Sequence, residues 1–136
     1  MKKLLFRQVH PDHNKNGLSS GAFRPTPNDE GLLSVDCSEI FTSQVSYETH
    51  LQKTKPAKDG KGREFLKTDG TWAISRDSCV TENLPVSYDP VKDEPYQPEN
   101  IAHHLIDYNG VEKTKIRNLA KRLRDEADKI GKLWPK

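Results

Sequence analysis

Leu4–Asp36 reads LLFRQVHPDHNKNGLSSGAFRPTPNDEGLLSVD, two apolar runs, LLF and LLSV, held apart by a polar loop. Leu4, Leu5, Phe6 and Val9 have the composition of a short strand and are stopped by Pro11, which cannot donate to a ladder. Leu32–Val35, just after Gly31, is the second strand. An ordinary hairpin connection needs about two to five residues. Here Arg7, Arg24, His10, His13, several acids and Pro11, Pro25 and Pro27 lie between the two runs. So long and so charged a connection reads as a site carried by a sheet, with Phe23, between Gly21 and Pro25, plugging it onto the core.

Working outward, Thr42 or Ser43 can cap a helix running to about Lys53, with Tyr47 and Leu51 at the i, i+4 spacing of its apolar face. Residues 53–62, KTKPAKDGKG, read as an exposed lysine-rich loop and the natural place for an insertion or a nick. Asp69-Gly70 is a turn signal, and Trp72 and Ile74 beyond it share one face at period two, so Glu64–Lys67 is expected to pair back onto Thr71–Ser75. Leu84–Tyr88 suits an edge strand, Asp89–Pro98 an extended proline-rich segment, and Ile101–Tyr108 a buried strand with His103 or His104 inward. Asn109 and Glu112 have the spacing of a capping box. The helix behind them spans residues 111–134, with Ile116, Leu119, Ala120, Leu123, Ala127 and Ile130 on one face in steps of three and four. The expected fold is α+β: a single domain over residues 1–136 with a small, mostly antiparallel sheet and this amphipathic C-terminal helix packed on one face.

Composition narrows the function classes. Of 136 residues, 32% are hydrophobic and 31% charged, and the mean hydropathy of −0.89 leaves room for only a small core. A net charge of +2 is too slight to imply a nucleic-acid or membrane partner by itself. Cys37 and Cys79 lie far apart and form no CxxC pair, which makes a reduced, cytoplasmic chain the default. The start MKKLLF is charged like a signal peptide, but its apolar run ends at Arg7, and no run approaches the length of a membrane span. GxxxxGK[ST], GxGxxG and HExxH do not occur, so the common nucleotide-loop and zincin readings drop out.

Three clusters carry chemistry. His10-Pro11-Asp12-His13-Asn14 has ligand types suited to a divalent cation, but the histidines sit in a loop and a third ligand would have to come from His103, His104 or Asp107. A solvated turn accounts for the same letters, and no metal is expected. The last helix is rich in bases, Lys113, Lys115, Arg117, Lys121, Arg122, Arg124, Lys129 and Lys132, which could meet phosphates. Its acids stand at pairing distances, Arg122 with Glu126 and Asp125 with Lys129, and no aromatic platform accompanies it, so a solvated face fits better than a nucleic-acid interface. The third cluster is the polar face of Arg7, His10, Arg24 and Ser34 with His103 and His104 as partners, suited to a protein partner or a small anionic ligand. Arg7 could equally pair with Asp29 or Asp36 at a sheet edge, and Ser34 could simply face solvent. Cys79 would act as a nucleophile only if His103 or His104 were brought beside it.

The set Arg7, Ser34 and a late polar residue near His103 resembles the three-strand constellation of ADP-ribosyltransferase-type folds, the RES-domain toxins included. The resemblance implies that Arg7 holds NAD, that Ser34 positions the nicotinamide ribose, and that Glu99 or His104 supports the oxocarbenium-like centre. It covers a handful of residues. Ser34 lacks the usual STS context, and IAHHLIDY stands where the usual third strand would be. The overall layout resembles small stand-alone bacterial proteins with no assigned activity. The leading expectation is a small cytoplasmic binding module with an Arg/His ligand face. An NAD-using transferase or toxin-like enzyme is the alternative, and nucleic-acid binding through the last helix is a further one.

Overall fold

Leu4–Gln8 forms β1 and Leu32–Cys37 forms β2, as the two apolar runs predict, in a computed structural model that describes residues 3–136. After them come α1 (Ser43–Leu51), β3 (Thr54–Pro56), β4 (Arg63–Phe65), β5 (Thr71–Ser75), α2 (Arg76–Thr81), β6 (Val86–Tyr88), β7 (His103–Asp107) and α3 (Lys113–Ile130). One antiparallel sheet runs in the order β5-β1-β2-β7-β6, while β3 and β4 pair only with each other. The fold is α+β, an antiparallel sheet with the C-terminal helix against it.

Alternation along the strands assigns the faces. Leu5, Leu33, Val35, Ile74 and Ile106 point to one side, and Leu119, Ala120, Leu123 and Ala127 of α3 close over them. Burying each of the larger side chains contributes about 1.5–3 kcal/mol. Phe23 is fully buried in the same core, so the long loop is anchored by its aromatic plug. The Tyr108 hydroxyl donates to the Phe23 carbonyl, and Arg124 Nη1 donates to the Leu18 carbonyl at 3.0 Å. The far end of α3 is tied down by Glu126, whose carboxylate accepts from the Ser75 amide at 2.8 Å and from the Ser75 and Ser78 hydroxyls at 2.9 and 2.8 Å.

The opposite face is polar, which explains why α1 lacks the apolar stripe expected of it. Its buried residues are Ser46 and Thr49, and Leu51 is exposed. Gln8 Nε2 donates to Ser46 Oγ at 3.0 Å and to Thr71 Oγ1 at 2.7 Å, and Ser46 Oγ donates to Asp36 Oδ2 at 2.7 Å. Hydrogen bonds, rather than a leucine ridge, seat this helix, so the i, i+4 reading of Tyr47 and Leu51 is corrected.

Other pairings also differ from expectation. The 53–62 segment is not a plain loop: Thr54–Pro56 pairs with Arg63–Phe65, so Glu64 faces Lys55 and not β5. β5 is taken by β1 along its whole length, from Leu4↔Ser75 to Gln8↔Thr71, and Asp69-Gly70 continues that ladder through Asp69 N to Val9 O at 2.8 Å. Asp89–Pro98 folds back on itself through the bridges Val91↔Asn100 and Glu94↔Gln97. Asn109 builds no capping box; its Nδ2 donates to the Glu30 carbonyl, and Glu112 caps α3 without a side-chain bond. Arg122 reaches Glu82 at 2.6 Å rather than Glu126.

One join in the sheet is incomplete. β1 pairs with β5 throughout and β2 pairs with β7 from Leu32 to Asp36, yet β1 meets β2 only at Leu5↔Cys37 and Phe6↔Asp36. Beyond Phe6 the two strands part, and the gap opens on the face that α1 covers.

Candidate functional site

Arg7 stands where β1 leaves β2. Its Nε donates to the Ala22 carbonyl at 2.8 Å and its Nη1 to the Ser34 carbonyl at 3.0 Å. Two neutral carbonyls are its partners; among the described residues no carboxylate forms a salt bridge with it, which corrects the pairing expected with Asp29 or Asp36. Burial pushes its guanidinium below the ordinary value, and Asp29, Tyr108 and Asp36 pull the other way. An arginine keeps its charge in such a setting, so a half-buried cation with spare N–H groups faces the gap.

A cleft of about 250 Å³ opens here, lined by Arg7, Ser34, Asp36, His50, Lys53 and His103 among others. Asp36 is held by Ser46 Oγ at 2.7 Å and Asn100 Nδ2 at 2.8 Å. His50, near the end of α1, is driven down to about 3 by burial and by the charges of Lys53 and Arg7, so its imidazole is neutral at pH 7. Burial also lowers Lys53, with Asp36 opposing and Arg7 adding to the shift. Loss of hydration is thus the main cost borne by both cations of this cleft, and a bound anion would offset it.

His103 lies opposite Asp36 in the β2–β7 register. Its Nδ1 is 2.8 Å from the Asp89 carbonyl and 3.2 Å from Asp89 Oδ2, and since a carbonyl can only accept, Nδ1 carries the hydrogen. The His103 side chain lines the cleft, and its Nε2 is not among buried atoms left without a partner in the described residues. Asp89 thus orients the His103 ring at the edge of the cleft.

The described residues bring Arg7, Ser34 and His103 to one cleft. His10 lines a neighbouring hollow of about 370 Å³ that shares Arg7, Gln8, His50 and Leu66 with the cleft and adds His13, Lys55 and Lys67. Burial, followed by the charges of Arg7 and His10, lowers His13. Arg24 is exposed on the loop, and His104 points to the opposite face, where its Nδ1 bonds the Ala102 carbonyl and its ring lies 5.1 Å from that of Tyr88. His10 Nδ1 accepts from the Asp12 amide at 3.0 Å and so caps a short 3-10 turn. Among the described residues no group of three or more His, Cys, Asp or Glu is placed to hold a metal ion.

No family model, curated protein or solved structure matches the chain. The site therefore rests on its own geometry.

Sequence reasoning missed His50, Lys53, Leu66 and Gln97, which roof the cleft from α1 and the segments after it. Lys53 read as a solvated loop residue. Gln97-Pro98-Glu99 offered a Gln-x-Glu spacing, with Gln97 in the cleft and Glu99 exposed. Gly17-Leu18-Ser19-Ser20-Gly21 has the letters of a GxSxG elbow, but Ser19 Oγ accepts from the Gly21 amide to cap a 3-10 turn and tops no strand. Cys79 is buried and its thiol is pushed up to about 12 by burial and by Glu126, which leaves no thiolate for nucleophilic work. No helix of the described residues is long and apolar enough to cross a membrane.

Proposed function

We propose that the chain is a cytoplasmic binding module, of the bacterial type its layout resembles, that takes a small anionic ligand in the cleft between β1 and β2. The observation that supports this reading is the half-buried Arg7, which among the described residues is hydrogen-bonded to the Ala22 and Ser34 carbonyls alone and lines the cleft with Lys53. A phosphate or carboxylate there accepts charge-assisted hydrogen bonds from the remaining guanidinium N–H groups and from the Lys53 ammonium. Lys55 and Lys67 in the adjoining hollow, beside Asp29, add cations near the cleft.

Titration calorimetry with inorganic pyrophosphate tests it. Saturable binding that weakens as salt rises, and that weakens several-fold more in Lys53→Ala, is the expected result. Absence of saturable binding at millimolar pyrophosphate overturns the reading.

A second reading is an NAD-using transferase, favoured by one observation: Arg7, Ser34 and His103 line the same cleft. In this reading Arg7 holds the dinucleotide phosphates and Ser34 positions the ribose, as the resemblance implies. Asp89-oriented His103 takes the third position in place of Glu99 or His104. Release of nicotinamide from NAD by the purified chain, lost in Ser34→Ala and His103→Ala, is its test, and a chain that leaves NAD intact sinks it.

A further inference from the structure

We infer that the ligand of the cleft is a nucleotide with an amino-bearing base, which stacks on a platform formed by Arg63 and Tyr96. The inference rests on the anion reading above and adds to it a second subsite. A hollow of about 430 Å³ adjoins the cleft and shares Lys53, Leu66 and Gln97 with it, so one ligand can occupy both. Its walls include Arg63, Tyr96 and Glu94.

The platform is preorganised. Arg63 Cζ lies 3.5 Å from the Tyr96 ring centroid, while Arg63 Nε and Nη2 donate to Thr54 Oγ1 and the Thr54 carbonyl, each at 3.0 Å. The Thr54 amide in turn donates to the Tyr96 carbonyl at 3.1 Å. Tyr96 itself sits in a turn closed by reciprocal Glu94–Gln97 backbone bonds. Even with Arg63 against it, Tyr96 is 61% exposed and so remains accessible to a ligand. Arg63 covers one face of the Tyr96 ring, and a planar heteroaromatic ring is the chemistry that extends such a stack.

The two subsites differ in which polar groups are already engaged. The cleft carries Arg7 and Lys53, which attract phosphate, and its Asp36 carboxylate is already held by Ser46 and Asn100. In the outer hollow Arg63 is held by Thr54, which leaves the Glu94 carboxylate to accept from an amino group and the Gln97 amide to donate and accept. A ligand with its anion inside and an amino-bearing ring outside matches both ends. Lys53, common to both, lies between them.

Calorimetry of the full chain with AMP against ribose 5-phosphate separates the base from the rest. AMP binding about tenfold or more tighter than ribose 5-phosphate is expected. Tyr96→Ala should abolish that difference and leave ribose 5-phosphate unchanged, and Tyr96→Phe should keep it, since Tyr96 is exposed and its ring does the stacking. Equal affinity for the two compounds in the native chain, or loss of both together in Tyr96→Ala, overturns the inference. If pyrophosphate binds and AMP shows no gain over ribose 5-phosphate, the base subsite falls alone. If none of the three binds, the anion reading falls with it.

Discussion

Arg7 donates through Nη1 to the Ser34 carbonyl at 3.0 Å across the gap where β1 and β2 stop pairing. The same guanidinium holds the Ala22 carbonyl, so one side chain bridges two half-sheets and the long loop. A lysine places a point charge there without the fork that reaches both acceptors. Arg7→Lys is expected to lose about 1–3 kcal/mol of stability in urea denaturation and to speed proteolytic cutting within residues 11–31. Unchanged stability and cutting would show that the bridge is incidental.

His50 predicts a pH dependence. Its folded value of about 3 lies below the ordinary 6.5, so between those values the unfolded chain binds a proton that the folded chain refuses. Stability rises with pH where the unfolded state binds more protons, and so the contribution present at pH 7 is lost as the solution is acidified through this window. One pH unit of the window is about 1.4 kcal/mol at most, reduced where solvent reaches the ring. Between pH 7 and 5 the native chain should lose about 1–2 kcal/mol more than His50→Asn, measured by urea denaturation at each pH.

Glu126 predicts a graded pair of variants. Its two oxygens take three hydrogens from Ser75 and Ser78, joining α3 to the start of α2. Glu126→Gln can keep one oxygen toward the Ser75 amide and turn its NH2 to the hydroxyls, so a loss of about 1 kcal/mol is expected. Glu126→Ala leaves the Ser75 amide without its acceptor and should lose about 2–3 kcal/mol, read from thermal and urea unfolding. Equal losses would mean that the neutral amide recovers none of these bonds and that the join depends on the charged carboxylate.

What the sequence carried and what it hid follow from the range of the interactions. β1, β2, β7 and α3 are visible because their apolar residues repeat at period two or at three and four, a local property. The partners of those strands are not local. Asp69-Gly70 has the letters of a turn, but the chain there is packed against the C-terminal segment: a Cβ on Gly70 would sit 2.7 Å from the Trp134 carbonyl oxygen. β5 therefore pairs with β1 and not with the residues just before it. α1 hides its function in the same way, since Ser46 and Thr49 look like surface residues until Gln8, Asp36 and Thr71 are brought beneath them. Arg7, Ser34 and His103 could be named from the strands that carry them. His50 and Lys53 could not, because only the packing of α1 over the gap makes them cleft residues.

The α3 stripe supplies a final test of packing against pattern. By spacing, Leu123 and Ile130 belong to the same face. In the fold Leu123 is 1% exposed within the core, and Ile130 is 40% exposed at the helix end. Leu123→Ala leaves a cavity between α3 and the sheet and should cost about 2–5 kcal/mol. Ile130→Ala removes little contact, and its replacement by a better helix former keeps the loss to about 0.5 kcal/mol or less. Chemical denaturation of the two variants side by side gives the comparison. Similar losses would place Ile130 in the core and require the end of α3 to pack more closely on the sheet than the structure has it.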